Sequence, residues 1–174
     1  QNSIVILLDI AKQNTEKGLA HTLFRCFLKN LDLPENEHGF FLYSLMMNEG
    51  YTNIYDYIKN KNQEDWNEHK KQSVRYSKII KSIYLSLGNS ESDYENQLTT
   101  IRREIDYFDA SRLKDELSLY ITLKKDFKIV FLFDETSEAI NQNKFSLLDL
   151  EGLSEAMSTL SGKVWTIAIA QEKL

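Results

Sequence analysis

Three short segments constrain this chain more than any other feature: SIVILLD at 3–9, KIVFLFD at 128–134 and KVWTIAIA at 163–170. Each is a nearly unbroken apolar run, rich in β-branched and aromatic residues. None shows the apolar–polar alternation of a half-exposed antiparallel strand. Runs of this kind fit parallel strands with both faces covered. Parallel neighbours cannot be joined by a hairpin, so the chain between them must cross over.

The intervening sequence has the period of helices. Leu19, Leu23, Phe24, Phe27, Leu28 and Leu31 trace one helical face that Pro34 closes, and residues 40–47 form a second apolar group stopped near Gly50. Tyr76, Ile80, Ile83, Tyr84 and Leu87 predict one long helix from about Trp66 to Gly88. A Ser92-x-x-Glu95 capping pattern predicts the start of the next, carrying Leu98, Ile101, Ile105 and Phe108. Another begins near Asp109 with Leu113, Leu117, Tyr120 and Ile121. Between the second and third strands, Ser146-x-x-Asp149 caps a helix striped by Leu150, Leu153, Met157 and Leu160, with Gly162 past its end. The layout is strand, large helical insertion, strand, helix, strand: an α/β fold with a three-stranded parallel sheet.

Composition excludes several classes of function. A hydrophobic fraction of 42% belongs to a folded domain, and a net charge of −5 gives no overall basic field toward nucleic acid or membrane. One cysteine, no signal peptide and no long apolar run place the expectation in a reducing cytoplasm, without a membrane partner. With no initial methionine and a strand at its very start, the chain reads as a piece of a larger protein.

The second strand ends in two carboxylates, Asp134 and Glu135. Ligands of open parallel sheets collect at the carboxyl ends of the strands. In P-loop NTPases a strand of this kind ends in an Asp that helps hold magnesium, often followed by a Glu. Magnesium keeps several waters and takes few direct protein ligands, so one carboxylate suffices there. The following Glu135 is placed to orient or deprotonate the water that attacks the γ-phosphate. The plainer reading makes Asp134 a cap for the next helix. At the tip of the third strand, Gln171 is a neutral polar residue suited to sensing the γ-phosphate, or else to capping a turn. No G-x-x-x-x-G-K-[ST] occurs among the six glycines. A phosphate loop is therefore expected upstream of Gln1.

FLFDETSEAI, followed by LLDLEGLSEAMSTLSGKVWTIAIAQEKL, resembles the acid-strand-to-sensor region of the large BREX-system P-loop ATPases of bacterial phage defence. The matching residues are Leu148, Leu150, Glu155, Val164, Trp165, Ala170 and Gln171. The chain departs from the family at Thr136, Ser137 and Glu138, where a Val-Gly-Gln-like turn is usual. The resemblance implies a P-loop NTPase core divided into a first strand and helix (1–33), a helical insertion (34–126) and the acid strand, helix and sensor strand (127–174), with the visible strands in the sheet order 3–9, 128–134, 163–170. It implies ATP and Mg2+ as cofactors, other defence proteins as partners, and DNA as a further candidate partner. A competing reading makes the insertion a protein-interaction module on an inert core.

Other candidates are weaker. His21, His38 and His69 are scattered and make no zinc spacing with Cys26, which lies on a core stripe. Glu68 and His69 are read as surface residues. Lys59, Lys61, Lys70, Lys71, Arg75, Lys78 and Lys81 could form a nucleic-acid face, but interspersed acids favour a solvated helix. Arg102, Arg103 and Arg112 are candidates for arginines acting in trans. The third strand lacks blocking lysines or prolines, so residues 163–170 are expected to recruit a second copy through an open edge.

Overall fold

The computed structural model describes residues 2–169. β1 (Ser3–Asp9), β2 (Lys128–Asp134) and β3 (Val164–Ala168) form a parallel sheet in the order β1-β2-β3, as the sequence predicts. The register is unbroken: Val5, Val130 and Trp165 lie side by side, as do Leu7, Leu132 and Ile167. β3 is shorter than the apolar run implied, although the Ile169 N–H still donates to the Phe133 carbonyl at 2.8 Å. Ala170 and Gln171 lie outside the described residues.

The expectation that both sheet faces are covered does not hold. Ile6, Leu8, Ile129, Phe131, Phe133 and Val164 are buried on one face. On the other, Val5 is 59% exposed, Leu7 67%, Trp165 55% and Ile167 46%. Topology supplies the reason. Strands added in sequence order all step across the sheet in one direction, and right-handed crossovers then put every connecting helix on the same face. Strand composition reports that a face is apolar, not that this chain covers it.

The chain folds as two compact units, residues 1–26 with 107–174, and residues 27–106. α1 (Leu19–Asn30) begins in the first unit after a left-handed Gly18, and its Phe24 stacks there on Phe108 with ring centres 5.1 Å apart. α7 (Ala110–Leu123) begins where the sequence predicts, is capped by Asp109, and buries Leu113, Leu117 and Tyr120. α8 (Thr136–Asn141) follows β2 directly. α9 (Leu147–Ser158) starts at the predicted Ser146/Asp149 capping box and packs Leu153 and Met157 inward. A hydroxyl pair, Ser154 with Thr166 at 3.0 Å, ties α9 to β3.

The second unit contains α2 (Glu37–Asn48), α3 (Ile54–Asn62), α4 (Trp66–His69), α5 (Ser73–Ser86) and α6 (Glu91–Asp106). The single helix expected from Trp66 to Gly88 is two. Asp65 caps a four-residue α4, and the chain breaks at Lys70–Gln72 before α5 begins. The capping box of α6 also lies two residues earlier than read: Ser90 and Asp93 exchange the bonds, with the Ser90 N–H donating to Asp93 Oδ2 at 2.9 Å and the Asp93 N–H to Ser90 Oγ at 3.1 Å. α3 has too weak an apolar stripe to have been anticipated. Asn53 starts it by accepting from the N–H groups of Tyr55 and Asp56.

Gly39 permits a close approach that no other residue allows. A Cβ there would lie 1.7 Å from the Pro34 carbonyl oxygen, a backbone atom that cannot swing aside. Gly39→Ala is expected to lower unfolding stability by about 3 kcal/mol, the upper part of the usual overpacking range. Urea denaturation checks this; a loss under about 1 kcal/mol would mean that the turn from Pro34 into α2 opens freely.

Candidate active site at the carboxyl ends of β1 and β2

β1 and β2 end together. Asp9 and Asp134 are register neighbours, so the parallel pairing delivers two carboxylates side by side at one edge of the sheet. After Asp9 the chain turns through a single 3-10 turn, Ile10–Lys12, that buries Ile10 and returns the Lys12 ammonium to within 2.5 Å of Asp9 Oδ2. The other carboxylate oxygen, Asp9 Oδ1, is shielded from solvent and has no hydrogen-bond partner. The bond from Lys12 holds the Asp9 carboxyl below the usual carboxylate range. Asp9 in turn raises the Lys12 ammonium, and the charges of Glu135 and Glu138 add to that effect. Three acids, Asp9, Glu135 and Glu138, thus act on one lysine.

Glu135 has left-handed backbone, φ +59°, at the junction of β2 and α8. A non-glycine residue there costs about 1 kcal/mol, and such conformations gather at functional sites. Asp134 Oδ1 accepts the Glu135 N–H at 3.0 Å. Asp134 therefore braces the turn, but no side chain caps α8, and the plainer reading of Asp134 as a helix cap fails in that form. The turn is held from below by Thr136, whose N–H meets the Ile169 carbonyl at 3.4 Å. Lys144 Nζ donates to the Gln13 carbonyl at 2.7 Å, fixing the segment after the 3-10 turn.

The donor set fits magnesium. Mg2+ is commonly held by one or two carboxylates with water filling its other positions. The paired strand tips offer two, and Asp9 Oδ1 has no hydrogen-bond partner. Among the described residues no group of three or more His, Cys, Asp or Glu is arranged to enclose a metal. A site made only of protein ligands, such as structural zinc or calcium, does not fit.

Asp134 and Glu135 stand together at this edge, while Gln171 lies beyond the described residues. Asp9 and Lys12 were not singled out from sequence. The signal was present: SIVILLD and KIVFLFD are apolar runs that end in the same residue, and parallel register aligns their ends.

Several of the remaining candidates have partners within the fold. His69 is not a free surface residue but mostly enclosed, with Nε2 2.5 Å from Glu64. His21 is buried, edge-on to Phe108, and Cys26 is buried with Sγ 3.9 Å from the Gln13 side-chain oxygen. In the lysine-rich stretch, Lys61 pairs with Glu49, Lys70 with Asp32 and Lys81 with Glu91. Those pairings consume charge that a phosphate backbone would need. Arg102 pairs with Glu37 and Arg112 with Glu116. A cavity of about 240 Å³ is lined by Leu19, Phe108, Asp109, Lys144, Asp149 and Leu153. It is smaller than most ligand pockets, and both its carboxylates are engaged in helix caps.

No protein-family model, curated protein or solved structure matches this chain.

Proposed function

We propose that this chain builds the acid half of a magnesium-dependent ATP-hydrolysing site, in a P-loop-type core of the kind its sequence resembles. The observation that supports the reading is the in-register pair Asp9 and Asp134, followed at once by the left-handed Glu135. Asp134 and Asp9 would hold Mg2+, which when bound neutralises phosphate charge. Glu135, on a turn that holds its backbone fixed, orients the attacking water and takes its proton. Lys12 balances the acids before a cation arrives and is long enough to follow a phosphate afterwards. Gln171 keeps the role of γ-phosphate sensor. The phosphate cradle is not among these 174 residues, so another segment or chain supplies it. Phage-defence partners and DNA rest on the resemblance alone.

A second reading has one observation in its favour. Residues 27–106 form a compact helical unit of their own, as a protein-interaction module would.

Because the cradle is absent, the 174-residue chain alone is expected to show no ATP turnover and to bind ATP more weakly than millimolar. Calorimetry with MgATP checks this. Micromolar affinity would overturn the division of the site and require a complete nucleotide pocket within the chain.

A further inference from the structure

We propose that the open face of the sheet is a self-complementary interface on which a second copy of this chain docks, sheet against sheet. The proposal does not depend on the ATPase reading. Val5, Val130 and Trp165 form one row across the three strands and Leu7, Leu132 and Ile167 the next, with their outward side chains bare or only partly covered. Parallel sheets are almost always covered on both faces, and this sheet is covered on one.

Charge along the face selects the arrangement. By strand parity, Lys128 and Lys163 share this face at the amino ends of β2 and β3, and Asp9 and Asp134 share it at the carboxyl ends. Two copies related by a two-fold axis parallel to the strands would set acids against acids. An axis across the strands reverses one copy and lays each strand on its own counterpart. Trp165 then meets Ile167 of the second copy, Val5 meets Leu7, Val130 meets Leu132, and Lys128 meets Asp134, each contact occurring twice. Such isologous pairing is what a two-fold interface requires. Packed sheets lie about 10 Å apart with strands inclined by about 30°, which these side chains can span. The apolar patch is on the order of 500 Å², against about 800 Å² per partner in a standard interface. With the charged rim added, the contact stays below the standard size, which fits a weak, concentration-dependent dimer.

The test is sedimentation velocity on the 174-residue chain from about 1 to 500 μM, with circular dichroism confirming the fold of each variant. The expected result is a monomer–dimer equilibrium that Leu7→Glu abolishes. Lys128→Glu and Asp134→Lys each weaken it about tenfold or more, and the double exchange Lys128→Glu with Asp134→Lys restores it. Should Leu7→Glu fail to fold, the exposed Lys128 and the rim exchange carry the test alone. A strict monomer at the highest concentration overturns the proposal. So does a dimer indifferent to Leu7→Glu, which would mean pairing through the β3 edge, or a double exchange that restores nothing.

Discussion

Replacing Glu135 by glutamine is expected to lower ATP turnover by about 10²- to 10⁴-fold while leaving ATP binding nearly unchanged, in a protein that joins this chain to its phosphate cradle. Glutamine keeps the size and hydrogen-bonding reach of glutamate but cannot take a proton. Glutamine tolerates the left-handed backbone at this position about as well as glutamate. The turn and its bond from the Glu135 N–H to Asp134 should therefore survive the change. Asp134→Ala is expected to behave differently. It removes both a magnesium ligand and the brace of the turn, so magnesium-dependent binding weakens along with turnover. Steady-state turnover beside calorimetric ATP affinity separates the two. A Glu135→Gln protein running at more than a tenth of the parent rate would show that Glu135 is not the base.

Trp66→Ala is expected to cost about 3–5 kcal/mol of stability in the unit formed by residues 27–106. Trp66 is the largest fully enclosed side chain, although it sits on a helix of only four residues. A helix that short has no stability of its own, so the indole anchors the helix rather than the reverse. Its N–H donates to the Asp32 carbonyl at 2.9 Å, and Asp32 itself has left-handed backbone and accepts the Tyr55 hydroxyl at 2.6 Å. Removing the ring leaves a cavity and an unpaired carbonyl at a turn that three groups define. Trp66→Phe should lose only about 1–2 kcal/mol, since most of the packing remains. Urea unfolding followed by circular dichroism distinguishes the pair. A loss under about 1 kcal/mol for Trp66→Ala would mean that α4 is not part of the cooperative unit.

Much of this architecture is legible in the amino-acid order. The three strands, the helix start near Asp109 and the cap at Ser146 follow from local pattern, because each depends on residues within a few positions, whereas the order of the strands followed from the NTPase resemblance. What the pattern missed depends on distant partners. The open face was invisible because Val5 and Leu7 are as apolar as Ile6 and Leu8, and only crossover handedness decides which of them meets a helix. The break between α4 and α5 was missed because residues 67–73 hold no proline or glycine to mark it, although they hold no apolar residue to carry the helical stripe either. Of the candidate site, the acids at 134 and 135 were evident as a local motif. Asp9 and Lys12 became evident only once the register set two strand ends together, across more than a hundred residues of chain.

The most direct test of the acid site is paramagnetic broadening by Mn2+, which shares the preference of Mg2+ for carboxylate and water oxygens. Substoichiometric Mn2+ added to the isotope-labelled chain should broaden the amide signals of Asp9 to Lys12 and of Asp134 to Thr136 before any others. Excess Mg2+ should reverse the effect, and Asp134→Asn together with Asp9→Asn should abolish it. Broadening that begins elsewhere, at Glu64 to Glu68 for example, or that survives the double substitution, would contradict a divalent cation site at the strand tips.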